Sequence, residues 1–133
     1  MDYLIEQGIK VDAIITDPPY AVTSYSWDQI IPFDQMWDKL SKLIKDDGAI
    51  VLFGNEPFSS SLRMSNPKFY RYDWKWIKTQ VTGFQNAKYQ PLRCYEDIMI
   101  FSKCGAVASA KPPMRYFPQG IIPVNLKVTT KPI

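Results

Sequence analysis

The spacing of apolar positions changes along the chain, and each change predicts a different element. VDAIIT (11–16) is a short, β-branched, nearly continuous apolar run, the pattern of a strand buried on both faces. In PFDQMWDKLSKLIKDDG (32–48), Phe33, Met36, Trp37, Leu40, Leu43 and Ile44 recur at intervals of three and four, which predicts a helix with one apolar face. Pro32 suits its first turn and Gly48 its stop. AIVLF (49–53) predicts a second buried strand, followed by Gly54 and a shorter helix opening at Pro57. Strand, helix, strand and helix with short links predict parallel strands joined by crossovers.

Beyond residue 68 the period becomes two. In FYRYDWKWIK (69–78), Tyr70, Tyr72, Trp74 and Trp76 alternate with Arg71, Asp73 and Lys75, which places the aromatics on one face as core. YEDIMIFSK (95–103) predicts another strand, reached through a polar loop containing Gly83 and Pro91. Two strands with no helix between them pair antiparallel. The predicted body is a mixed α/β sheet with an antiparallel strand pair at one side. After Cys104 neither period persists, and five of the eleven prolines fall in 112–132, so this stretch reads as extended or partly disordered.

Composition narrows the chemistry. The 133 residues suit one domain with an ordinary core, 46% hydrophobic and 22% charged. No apolar run is long enough to span a bilayer and no leader pattern opens the chain, so a cytoplasmic address is expected. Cys94 and Cys104 lack metal-ligand spacing and read as free thiols. With no histidine, the commonest general base and most zinc sites are removed, and no metal is expected. The +3 net charge is uneven: residues 103–133 hold five bases and no acid, leaving eleven bases against thirteen acids before them. Such a tail suits a polyanion or simply solvent.

The candidate chemistry sits where the first strand ends, in Asp17-Pro18-Pro19-Tyr20. Ligands of open α/β sheets lie outside the carboxyl ends of the parallel strands. Two prolines fix the backbone there and remove two donors, leaving a carboxylate, carbonyl acceptors and an aromatic ring. Such a corner suits a planar heterocycle with an exocyclic amino group. Asp17 and the Pro18 carbonyl each accept one N–H, and Tyr20 stacks on the ring. Acceptors that draw on a rehybridising nitrogen favour its transition state over its ground state.

DPPY at the end of an apolar strand resembles the catalytic motif of the S-adenosylmethionine-dependent DNA amino-methyltransferases, which modify adenine N6 or cytosine N4. GAIVLFGNEPF (48–58), WKWIKTQVTGFQNAKYQPLRCYEDIMIFSK (74–103) and FPQG (117–120) are similar to further segments of that family, in family order. The resemblance implies a partial Rossmann-like methyltransferase sheet and methyl transfer to a flipped base in DNA, as in restriction-modification. It implies that Asp17 and Pro18 hold the amino group, that Pro19 stiffens the loop and that Tyr20 stacks on the base. The resemblance further implies that Asp17 lies near the methionine end of the cofactor, and in that family an aspartate in first place leans toward adenine. Phe53 and Gly54 are candidates to line the cofactor pocket. Lys78, Thr82, Asn86, Lys88 and Arg93 face the cleft or DNA, or form an ordinary solvated loop; Lys111 and Arg115 are the basic candidates of the tail.

The six glycines include no G-x-G pair, so the family's glycine-rich cofactor turn is absent. The order of parts matches an arrangement with the catalytic half first, followed by target recognition and then the cofactor half. Residues 1–103 then form a catalytic half, and 104–133 an extended basic segment opening target recognition. The chain is expected to be truncated before the cofactor motif. It would be completed by a second chain or associate with itself through a bare strand edge. The alternative is a catalytically silent remnant that binds DNA or a partner.

Overall fold

A computed structural model describes residues 1–21, 25, 26 and 28–124. In chain order it contains α1 (Asp2–Glu6), β1 (Val11–Thr16), α2 (Phe33–Leu43), β2 (Ile44–Gly54), α3 (Phe58–Ser65), β3 (Tyr70–Thr82), a single 3-10 turn (Phe84–Asn86) and β4 (Arg93–Phe101). One four-stranded sheet has the order β1-β2-β4-β3. β1 and β2 are parallel, while β4 runs antiparallel to both β2 and β3. The architecture is the mixed α/β sheet predicted from the apolar periods.

The core lies between one sheet face and the helices. Met36, Trp37 and Leu40 of α2 and Phe58 and Leu62 of α3 pack on Ile44, Ile50, Leu52, Met99 and Phe101. The Trp37 and Phe101 rings pack at a tilt with centroids 4.8 Å apart, and the indole N–H donates to Ser65 Oγ at 2.8 Å, tying α2 to α3. Burying so polar a ring requires that partner.

Four local expectations change. β1 is not buried on both faces. It is an edge strand, with Val11 and Ile14 against the core and Ile15 68% exposed, because β2 covers only one of its edges and helices only one of its faces. α2 stops at Leu43, and Ile44 already has extended backbone (φ −78°, ψ 142°). Ile44 is fully buried, so the apolar spacing continued through the helix end. Gly48 does not stop the helix; it lies inside β2, where a Cβ would come within 2.7 Å of the Asp12 carbonyl oxygen. The register of β1 on β2 slips at this approach, from Val11 opposite Ile44 to Ala13 opposite Ala49.

The fourth change concerns the aromatic stripe. The register of β3 on β4 slips between Tyr70 and Tyr72. Tyr70 joins the helix-covered core, whereas Tyr72 packs on the other face with Ile98 and Ile100. The Arg71 side chain fills the irregularity, its Nε and Nη2 donating to the Cys104 and Ser102 carbonyls at 2.6 and 2.7 Å. Trp74 and Trp76 follow Tyr72 and remain 53% and 49% exposed, not core, since no helix covers that face among the described residues. The stretch after β4 packs Cys104 and Met114 beneath Ile100 and otherwise runs without regular structure to residue 124. Residues 125–133 of the predicted extended tail lie outside the described residues.

Candidate functional site

The parallel pairing of β1 with β2 brings two turns to one end of the sheet. Thr16 is opposite Leu52, so residues 17–20 emerge beside Gly54 to Phe58. At that end Pro18 is buried, Pro19 and Tyr20 are half-buried, and Asp17 is exposed. The Tyr20 ring rests on Phe58 with centroids 5.0 Å apart, and Phe58 is backed in turn by Phe33 at 5.9 Å. The Tyr20 hydroxyl donates to Asp17 Oδ1. Burial, reinforced by the Asp17 hydrogen bond and charge, holds the Tyr20 phenol well above its ordinary range. The phenol therefore stays protonated and keeps donating, which turns the Asp17 carboxylate and leaves its second oxygen to solvent.

The corner is anchored on its far side as well. Ala21 adopts φ 57°, a left-handed conformation that an L side chain rarely accepts, and its N–H donates to Asp28 Oδ1 at 2.8 Å. Asp28 is buried. Asp28 and Phe58 are the positioning residues that the sequence did not disclose. Phe58 meets the corner only through the tertiary path of the chain, and Asp28, seven residues beyond Ala21, has no periodic spacing to mark it.

Phe53 and Gly54 end β2 beside the corner but diverge. The Phe53 ring lies edge-on to Trp76 at 6.0 Å, on the face away from α2 and α3. Gly54 is buried, and a Cβ there would meet Met99 Cε at 2.6 Å and Ser59 Oγ at 2.8 Å. The absent side chain serves internal packing. Beneath it, Asp97 is opposite Gly54 and buried, paired with Lys75 and, at 3.1 Å, with Arg63. Arg63 also reaches Glu56 at 3.0 Å and Asp73 at 3.1 Å. Burial raises the Asp97 carboxyl, but the Lys75 hydrogen bond and the Arg63 and Lys75 charges outweigh it, leaving a lowered pKa.

The polar and basic candidates do not gather in one place. Lys78, Thr82, Asn86, Lys88 and Arg93 all belong to the β3–β4 hairpin, which extends past Gly54 at the corner's end of the sheet. Lys78 pairs with Glu96, and Arg93 Nη2 approaches the Glu56 carbonyl at 3.4 Å. Arg115 lies at the opposite end, bonded to Asp47 at 2.6 Å and Asp12 at 3.1 Å, near the start of β1. Lys111 is exposed in the stretch after β4. Among the described residues no cluster of three or more potential metal ligands occurs, and no helix is long and apolar enough to cross a membrane.

Known proteins resemble this chain in structure rather than in sequence. No family model and no curated protein sequence matches. The crystal structure of M1.HpyAVI superposes with a TM-score of 0.57 at 21% identity, and that of the M1.HpyAVI-SAM complex with 0.56 at 21%. The chain shares part of the M1.HpyAVI fold. Each match covers 77% of this chain and 50% of the other, so the chain spans about half the length of the structures it matches. The shared part is a partial methyltransferase-like sheet, and the DPPY corner is attached to its carboxyl-end edge.

Proposed function

We propose that this chain is the catalytic half of a DNA amino-methyltransferase that moves a methyl group from S-adenosylmethionine to N6 of an adenine extruded from the duplex. The observation that carries the reading is the corner itself. An exposed carboxylate, a proline carbonyl with no hydrogen bond among the described residues and a buttressed aromatic ring converge at the carboxyl end of a parallel strand. The shared fold supports it, M1.HpyAVI having been solved with SAM.

In this reading the flipped adenine lies on the open face of Tyr20, which Phe58 stiffens from behind. Asp17 Oδ2 and the Pro18 carbonyl each accept one hydrogen of the amino group. The Tyr20 hydroxyl holds Asp17 Oδ1 and thereby sets the direction of Oδ2. As the nitrogen rehybridises its hydrogens become more acidic, so both acceptors bind the transition state more tightly than the ground state. S-adenosylmethionine, when bound, supplies an electrophilic methyl group. Asp17 suits its methionine ammonium. Phe53 and Gly54 do not fit a nucleoside cradle, because Phe53 faces away and the space at Gly54 belongs to Met99 and Ser59. The ribose and adenine would be held by other polypeptide, in this chain's continuation or a second chain. That gap favours the second reading, a silent DNA-binding remnant, wherever no such polypeptide is present.

Incubation with methyl-labelled S-adenosylmethionine and duplex DNA, followed by nucleoside analysis, tests the proposal. Label in N6-methyladenine that vanishes with Asp17→Ala is the expected result. Label at cytosine N4 would correct the base, and label surviving Asp17→Ala would remove the corner from the chemistry. No label, together with no calorimetric binding of S-adenosylmethionine, would leave the remnant reading.

A further inference from the structure

The β3–β4 hairpin carries a polar cup that the corner does not use. Gly54 is opposite Asp97, so Arg93 to Glu96 and the strand opposite them overhang the carboxyl end of β2. The cup has a volume of about 410 Å³, and its polar wall is formed by Thr82, Asn86, Gln90, Arg93 and Tyr95. It is joined to the corner through Arg93, which reaches the carbonyl of Glu56, two residues before the ring that backs Tyr20.

The chemistry of the wall selects among guests. The Thr82 hydroxyl and the Asn86 and Gln90 amides make no hydrogen bond among the described residues, so donors and acceptors both remain free. Residues 74–95 contain four bases and no acid. Lys75 and Lys78 are occupied by Asp97 and Glu96, which leaves Lys88 and Arg93 to attract an anion. Phe84 and Tyr89 at the tip are 70% and 87% exposed. Paired amides read the donor-acceptor edge of a base, cations hold its phosphate, and open aromatic rings stack on unpaired neighbours.

We infer that the cup binds the base of an unpaired nucleotide neighbouring the extruded target, making Asn86 and Gln90 specificity-determining residues of the hairpin. The inference rests on the DNA reading of the corner. A strand opened at one nucleotide leaves adjacent bases unstacked, and a polar cup on the same end of the sheet can take one of them.

NMR titration of the intact chain with single-stranded DNA of about twelve nucleotides and mixed sequence tests this, following the Asn86 and Gln90 side-chain amides and the Tyr20 and Ala21 backbone amides. Both sets should shift saturably. The double variant Asn86→Ala, Gln90→Ala, at exposed positions, should weaken binding about tenfold while the Tyr20 and Ala21 shifts persist at saturation. Cup shifts without corner shifts would uphold a nucleotide site and remove the corner as a base site. Corner shifts without cup shifts, or unchanged affinity in the double variant, would overturn the cup and leave the corner reading standing. Silence at both would overturn both.

Discussion

Tyr20 and Asp17 show how a short motif becomes a rigid device. Two prolines limit the backbone, but the direction of the carboxylate is set by the phenol, and the phenol is set by Phe58. Because burial raises the Tyr20 pKa, the folded state binds its proton more tightly than the unfolded chain does. The associated stability is therefore complete below about pH 10 and declines as pH rises above it. Tyr20→Phe should flatten that alkaline decline in chemical denaturation measured from pH 9 to 11, at a cost of about 1 kcal/mol at neutral pH. Asp28 acts on the same corner through one backbone N–H. Asp28→Ala should lower stability by about 1–3 kcal/mol and shift the Ala21 amide resonance, whereas Asp28→Asn, which retains an acceptor, should recover most of both. A variant Asp28→Ala with an unmoved Ala21 resonance would show that the corner holds itself.

At the scale of elements, close approach and buried charge decide what the apolar periods could not. Gly48 resembles a helix stop in sequence because it follows two aspartates after an amphipathic run. In space it lets the β1 backbone pass, with the Asp12 carbonyl 2.7 Å from where a Cβ would stand. Backbone cannot yield as a side chain can, so Gly48→Ala should cost about 1–3 kcal/mol in denaturant unfolding. The Asp97–Arg63–Lys75 group ties α3, β3 and β4 together under Gly54. Its lowered carboxyl pKa means that stability is complete above about pH 4 and lost as pH falls below it. Asp97→Ala leaves Arg63 to Glu56 and Asp73 and Lys75 to Asp73 alone, and should cost about 1.5–3 kcal/mol through the lost charged hydrogen bonds, removing much of that acid dependence. Equal acid sensitivity in the variant would place the titrating group elsewhere.

Across the whole molecule, helices cover one sheet face and leave Trp74, Trp76 and the outer edge of β1 exposed. An exposed aromatic face on one border strand and an open backbone edge on the other each favour association. Sedimentation at rising concentration should show self-association of the chain, and the double variant Trp74→Ser, Trp76→Ser should shift it toward monomer without loss of fold. A monomer at all concentrations would mean that neither the aromatic face nor the β1 edge is adhesive.

The sequence alone determined the order of the four strands with α2 and α3, though not α1, and also the antiparallel return and the corner DPPY, because apolar period, proline and glycine act within a few residues of themselves. It could not determine which strand is an edge, so VDAIIT read as buried on both faces although only one is covered. Nor could it detect the slip at Arg71 that sends Tyr70 and Tyr72 to opposite faces, since that slip is stabilised by carbonyls more than thirty residues away. Tertiary structure alone brought Phe58 to the corner, carried the hairpin cup to the same end of the sheet and left Arg115 at the other. The physical reason is the same throughout: local pattern fixes what a segment becomes, while the pairing of distant strands fixes what it faces.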